Sequence, residues 1–338
     1  MDWFEKLTGF IEGPYEETRA RFAVEGRQLQ SLVNGRTFDI GVLELPSLSD
    51  LRARVKSGGK SSSGRIKVGM VRGDVRQMHK ESTHKGALFQ VASQFNMLEM
   101  TGPSITPESG VTRYEGDGTQ GPACAIAAGA ATIFRNYFAP VGDHSGQNAT
   151  RQLDGLADTG ATLSSALGKP VDALWKMRNG YAMCSPSGLD AIATYLAETD
   201  ADTIDALRGR LRIGIHWDVE VTDGIVTTGQ TVSQAFCSAL PVAYSDFPNA
   251  NWGPFAKLVL ESAYEATLWA AVLNASGGAS NTVLLTSLGG GAFGNDDEWI
   301  RAAMQRALNL VSAYDLEVKI VSYREPSRAL RDLVASFG

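Results

Sequence analysis

One run of eleven residues, Leu285-Thr286-Ser287-Leu288-Gly289-Gly290-Gly291-Ala292-Phe293-Gly294-Asn295, restricts the fold of this chain more than any other. Asn281 to Leu288 is rich in Val, Leu and Thr, as a buried strand requires. From Ile300 the apolar residues Ala303, Met304, Ala307, Leu308 and Val311 recur at helical spacing. Four glycines in six positions join the two segments. Glycine enters positive-φ wells cheaply and has no Cβ to hold a ligand away, so successive N–H groups can curl round an anion. A strand, a glycine loop and a helix in that order predict an α/β fold with a phosphate-sized cradle at a strand end. Asp296, Asp297 and Glu298 crowd the helix start, so the curled loop rather than the helix dipole should hold the anion.

The rest of the chain agrees with a globular α/β protein. With 338 residues, 43% of them hydrophobic, it can build a large core, and a net charge of −6 argues against coating nucleic acid or a membrane surface. No apolar run is long enough to span a bilayer and Met1 to Lys6 does not start a signal peptide, so a cytoplasmic setting is expected. Cys124, Cys184 and Cys237 lie among small or apolar residues and read as reduced thiols. His79, His84, His144 and His216 have no metal-ligand spacing, so neither a metal site nor a cofactor is predicted.

Residues 1 to 63 read as an N-terminal extension: an amphipathic helix (Trp3, Phe4, Leu7, Phe10, Ile11), a polar segment, and the linker Ser57-Gly58-Gly59-Lys60-Ser61-Ser62-Ser63-Gly64. The main domain, 64 to 338, follows. Strands are expected at Ile66–Val71, Ala87–Ala92, Leu211–His216, 281–288 and Leu316–Tyr323. Helices are expected at Ala123–Phe138, started by Pro122, at Val171–Lys176, Ser187–Glu198 and Phe255–Asn274, from about Asp297, and from Pro326. Strands alternating with helices imply a mixed or parallel sheet covered on both faces.

Two further segments carry candidate chemistry. In Tyr114-Glu115-Gly116-Asp117-Gly118-Thr119-Gln120-Gly121-Pro122, glycines again precede a helix, with Thr119 placed to cap its first turn and the Asp117 carboxylate exposed between glycines. Two such loops can hold two linked phosphates. The apolar strand ending at Ala92 runs into Ser93, Gln94 and Asn96, where a ligand would lie in an open sheet. Asn96 could hydrogen-bond a sugar hydroxyl, and Glu99 could act as a base or orient one. One alternative follows from Gly289, Gly291 and Gly294, which fit G-x-G-x-x-G. Glu325 or Arg324 would then read an NAD or NADP ribose, as in an NAD(P)-dependent oxidoreductase. Only 13 residues follow Glu325, and this reading ranks below the others.

Gly73-Asp74-Val75 after a strand, Asn96 at a strand end, the loop 116 to 121 and the loop 289 to 294 together resemble the macrodomain superfamily. The runs Ala92 to Asn96, Thr119 to Ala123, Ser238 to Tyr244 and Tyr264 to Leu268 are similar to its divergent MavL-like branch of ADP-ribosylhydrolases. The resemblance covers about residues 66 to 325. It implies a three-layer α/β/α fold with a mixed central sheet and a large helical insertion at about 140–250. It implies ADP-ribose or an ADP-ribosylated protein as partner, with Asp74 reading the adenine amino group and Asn96 facing the distal ribose. The diphosphate would lie between Gln94, Gly116, Thr119, Gln120 and Gly121 on one side and Gly289, Gly290, Gly291, Ala292, Phe293, Gly294 and Asn295 on the other.

The implied activity is removal of ADP-ribose from protein side chains, arginine above all. Such cleavage passes through an oxocarbenium-like sugar and needs a carboxylate to activate water or stabilise positive charge. Asp117 is the first candidate, Glu99 with Asn96 the second, and a metal-independent mechanism is expected. Phe293 and Tyr181 could stack on the ligand or pack in the core. A module that binds ADP-ribose without cleaving it is the main alternative.

Overall fold

The computed structural model describes residues 1–58, 64–224 and 229–337 of the chain. Most of the Gly/Ser run expected as a linker, residues 59 to 63, lies outside them.

Among the described residues seven strands form the central sheet: β1 (Val42–Glu44), β2 (Lys67–Arg72), β3 (Leu88–Ala92), β4 (Gly214–Glu220), β5 (Thr231–Cys237), β6 (Thr282–Leu285) and β7 (Glu317–Ser322). Their order across the sheet is β1-β4-β5-β3-β6-β7-β2. β4 is antiparallel to both its neighbours and every other pairing is parallel, so the sheet is mixed, as expected. Successive side chains explain why both faces must be covered. On β3, Leu88 joins one hydrophobic core, while Phe89 and Val91 join the core on the opposite face. On β6, Val283 and Leu285 point to the first face and Leu284 to the second.

The first face is covered by the long helix Asn249–Ser276 with Leu48–Ser57, Pro186–Glu198 and Asp297–Leu310 packed around it. The second carries Val75–Met78, Gln120–Ala127 and Gly129–Tyr137. The helix expected over 123–138 is in fact these last two. Ala128, at φ −114° and ψ 57°, breaks the chain direction between them, and the Thr132 hydroxyl donates to the Ala125 carbonyl across the break. Pro122 accordingly lies inside a helix already begun at Gln120.

Other expectations change too. The segment 1–58 does more than cap the domain. It supplies edge strand β1, a three-stranded antiparallel sheet (Phe22–Glu25, Gln28–Ser31, Thr37–Asp39), and a helix packed on Asn249–Ser276. The stretch 140–250 is only partly a helical insertion, because it contains β4 and β5, two inner strands of the sheet. The helix expected over 171–176 ends at Leu174. Trp175–Arg178 then pairs antiparallel with Tyr181–Cys184 through Asn179 and Gly180, both at positive φ. That is the left-handed turn which lets a two-residue hairpin follow strand twist.

Candidate functional site

β2, β3, β5, β6 and β7 all run the same way, so their carboxyl ends lie along one edge, where ligands settle in open α/β sheets. Two spaces meet there. One, of about 160 Å³, is bounded by Gln94, Glu99, Asp117, Tyr181, Tyr244 and Phe293. The other, of about 680 Å³, is bounded by Asp74, Arg76, Tyr114, Gly118, Tyr323 and Arg324. Asp117, Thr119, Gln120, Thr286, Ser287 and Gly291 border both, which makes them one cleft with a waist.

The waist is built from the two glycine loops. Gly289 and Gly294 both take positive φ, 75° and 68°, and the Asn295 N–H closes the loop onto the Gly289 carbonyl at 2.9 Å. Among the described residues the N–H groups of Gly291, Ala292 and Phe293 have no hydrogen-bond partner, and these three residues line the cleft. That is the arrangement that receives an anion. Gly290, Gly294 and Asn295 lie behind the loop and shape it; the Asn295 amide donates to Leu240 at 2.8 Å. From below, the Tyr264 hydroxyl donates to the Thr286 carbonyl at 2.7 Å and accepts the Leu288 N–H at 2.8 Å, fixing the exit of β6.

The opposite loop is held as firmly. Gly121 is required because a Cβ there would lie 1.9 Å from the Ala92 carbonyl oxygen; the helix starts against the end of β3. Gln120 borders the cleft, but its amide is committed to β3, accepting from Ala92 N and donating to the Gln90 carbonyl, each at 2.8 Å. Thr119 occupies the cap position without a side-chain capping bond. Instead Asp117 Oδ1 accepts the Thr119 N–H at 2.9 Å, and among the described residues Oδ2 has no hydrogen-bond partner.

The turn carrying Asp117 rests on the N-terminal segment. Glu12 accepts the Val111 N–H at 2.9 Å, the Thr112 N–H at 2.7 Å and the Tyr137 hydroxyl at 2.7 Å, while Trp3 Nε1 donates to the Thr112 carbonyl at 3.3 Å. A carboxylate at the start of the short 3₁₀ turn Thr112–Gly116 satisfies two backbone donors that would otherwise lack partners.

Glu99 lies on the floor of the smaller space and is fully buried. Burial pushes its carboxyl up to about 7, with the Arg135 guanidinium opposing that rise. Arg135 is itself completely buried. Its Nη2 lies 3.4 Å from both Glu99 oxygens and it stacks over the Phe236 ring at 3.9 Å. The long contacts explain why the ion pair only partly offsets the cost of dehydrating the carboxylate.

Three aromatic rings wall the same space. Tyr181 lies 5.2 Å from Phe293 and 5.3 Å from Tyr244, and Tyr244 lies 5.7 Å from Phe293. Tyr244 ends the run Ser238 to Tyr244 that carried the resemblance but was given no role in the site, and Tyr181 reaches the wall through the Asn179-Gly180 hairpin.

One candidate, Asn96, lies away from the cleft, and another, Gln94, borders it with its side chain already committed. Asn96 does not border the cleft. Its amide donates to Gln152 at 2.8 Å and its Oδ1 accepts the Leu98 N–H at 3.1 Å, and Gly180 packs directly over it. Asn96 therefore holds the turn that presents Glu99. Gln94 does border the cleft, but its amide is spent on Met100 N, the Met100 carbonyl and the Tyr181 hydroxyl. Asp74 borders the larger space and caps a helix by accepting the Arg76 N–H at 2.8 Å. Glu325, the ribose reader of the oxidoreductase alternative, is exposed and paired with Arg72 and Arg331. The three cysteines are buried and unpaired. Among the described residues no cluster of three or more His, Cys, Asp or Glu could hold a metal ion, and no helix is long and apolar enough to cross a membrane.

No family model matches the sequence, and no curated protein does. Among solved structures the chain is similar to poly(ADP-ribose) glycohydrolase from Thermomonospora curvata, with 13% identity, a TM-score of 0.45 and 96% of each chain covered. It is also similar to the Deinococcus radiodurans poly(ADP-ribose) glycohydrolase in apo form, with 11% identity, a TM-score of 0.45, and 87% of this chain and 93% of that chain covered. A mutant of the latter in complex with ADP-ribose gives 10% identity and a TM-score of 0.47 over 88% of this chain and 95% of that one.

Proposed function

We propose that the cleft binds ADP-ribose and hydrolyses its bond to a protein side chain, with arginine as the preferred acceptor. The observation that carries this reading is the position of Asp117: it borders both spaces, beside the unpartnered N–H groups of Gly291, Ala292 and Phe293. A diphosphate at the waist puts a nucleoside in the larger space, near Asp74 and Tyr323, and the distal ribose in the smaller one. Its anomeric carbon then lies within the reach of two carboxylates.

The chemistry follows from their surroundings. Asp117, half exposed with one oxygen free, takes a proton from water as the water adds to the anomeric carbon. The carbon–nitrogen bond breaks and its electron pair leaves with the guanidine, which then takes up the proton. Ionised Glu99, beneath the sugar, stabilises the positive charge of the oxocarbenium-like transition state in a site from which water is largely excluded. The wall of Tyr181, Tyr244 and Phe293 together with these carboxylates suits a cationic acceptor, because ring faces attract a guanidinium. This favours an arginine linkage over an ester.

The test is to incubate the protein with arginine-ADP-ribosylated and glutamate-ADP-ribosylated proteins, with and without chelator. Release from the arginine substrate, unaffected by chelator, is expected. Tight ADP-ribose binding with release from neither substrate would show a binding module instead, and release from the glutamate substrate alone would remove the arginine assignment.

A further inference from the structure

The groove continues past the nucleoside end of the cleft. A third space of about 500 Å³ shares Arg76, Glu115 and Ile126 with the larger of the two already described, and is completed by residues that include Lys6 and Arg36. Its charges are unequal in availability. Arg76 is committed to Asp223 through two bonds of 2.7 Å, and Lys80 adds a third contact at 3.1 Å, so Asp223 is neutralised. Arg36 and Lys6 enter no ion pair among the described residues. The Arg36 guanidinium is nonetheless held in place, 5.0 Å over the Phe38 ring and donating to the Lys6 carbonyl at 3.3 Å. Glu115, exposed on the rim, is the remaining carboxylate. In a chain of net charge −6, two cations without an ion pair among the described residues line this space, one with its guanidinium held in place, and together they favour an anion there.

We infer that this third space binds a phosphate group attached through the ribose of the adenosine, an inference that rests on the ADP-ribose reading above. The hydroxyls of that ribose are the points at which such a ligand can be extended without disturbing the adenine or the diphosphate. An extension there leads from the larger space past Arg76. A planar guanidinium fork matches phosphate oxygens in both shape and charge, and an ammonium lining the same space adds to the attraction. The phosphate could be a 2′-phosphate monoester or the diphosphate of a second ADP-ribose unit joined at the same ribose, and both present the same chemistry to Arg36 and Lys6.

Affinities for ADP-ribose, ADP-ribose 2′-phosphate and an ADP-ribose dimer joined through the adenosine ribose test this by competition at low and at high salt. At low salt we expect at least one extended ligand to bind about five- to tenfold more tightly than ADP-ribose, an advantage that shrinks at high salt. A gain with the monoester alone assigns the site to a 2′-phosphate, and a gain with the dimer alone assigns it to a chain. Arg36→Gln and Lys6→Gln should each remove most of the gain and leave ADP-ribose binding within about twofold. Equal or weaker binding of both extended ligands to the unaltered protein overturns the inference, whatever the variants do. ADP-ribose binding without the gain leaves the proposed function intact, whereas failure of all three ligands to bind removes both.

Discussion

The Tyr114 hydroxyl accepts the Glu99 N–H at 3.1 Å, and the carbonyl of the same tyrosine accepts the Asp117 N–H at 3.1 Å. One buried residue, through its hydroxyl and its backbone carbonyl, thus spaces the two carboxylates of the cleft. Tyr114 is entirely inaccessible, so its hydroxyl can reach nothing but these neighbours, and the separation of Glu99 and Asp117 is a packing property.

Replacing Asp117 by Asn keeps the Asx-type bond to Thr119 but removes the proposed base. Release of ADP-ribose from arginine-modified protein should fall about 10²- to 10⁴-fold, with ADP-ribose affinity nearly unchanged. Single-turnover rates measured alongside binding separate the two, and a variant with full activity would eliminate Asp117 as the base.

Burial raises the Glu99 carboxyl to about 7, so it is ionised only above that pH. A transition state stabilised by its charge should give a rate that declines as pH falls through about 7. Glu99→Gln should be slow and lack that limb. A pH profile of kcat decides it: a rate that rises as Glu99 takes its proton would assign it instead the role of an acid.

Arg135 and Glu99 are buried together, and removing one leaves the other as an uncompensated charge. Arg135→Met should lower stability by about 3–5 kcal/mol. The double variant Arg135→Met with Glu99→Gln should recover a substantial part of that loss. Denaturant unfolding of the three variants gives the coupling, and simple additivity would show that the pair does not interact.

Glu12 tests the brace under the Asp117 turn. Glu12→Gln turns an amide N–H toward a backbone donor and should cost about 1–3 kcal/mol. The amides of Val111 and Thr112 should exchange faster, and kcat should drop more than KM rises. A stability loss with unchanged kcat and unchanged exchange at these amides would show that the turn holds itself.

Strands β2, β3, β6 and β7 and the glycine loops were legible because each depends on local chemistry. The β6 segment is β-branched or leucine and buried throughout, and glycine supplies the positive φ at 289 and 294. What was missed depended on distant partners. β5, Thr231–Cys237, was overlooked although every residue but its first is buried. The brace by Glu12 needs residues about a hundred positions away. Asn96 was legible as a polar group at a strand end, but its side chain is captured by Leu98 N and Gln152 in a turn the sequence does not announce. The hairpin that delivers Tyr181 had a readable signal in Asn179-Gly180, masked by the apolar residues before it.

Among the described residues, edge strand β2 has a single neighbour in the sheet, β7, and their pairing joins Lys67 to Glu317, 250 residues later in the chain. On a ribosome adding about 5–20 residues per second, β2 therefore emerges at least about ten seconds before the strand that can receive it. The rim beside Asp74 stays an open strand edge throughout that interval. Folding of this protein should consequently be late and cooperative, with the Asp74 side of the cleft assembling last, and it should be sensitive to chaperones that shield unpaired strands during synthesis.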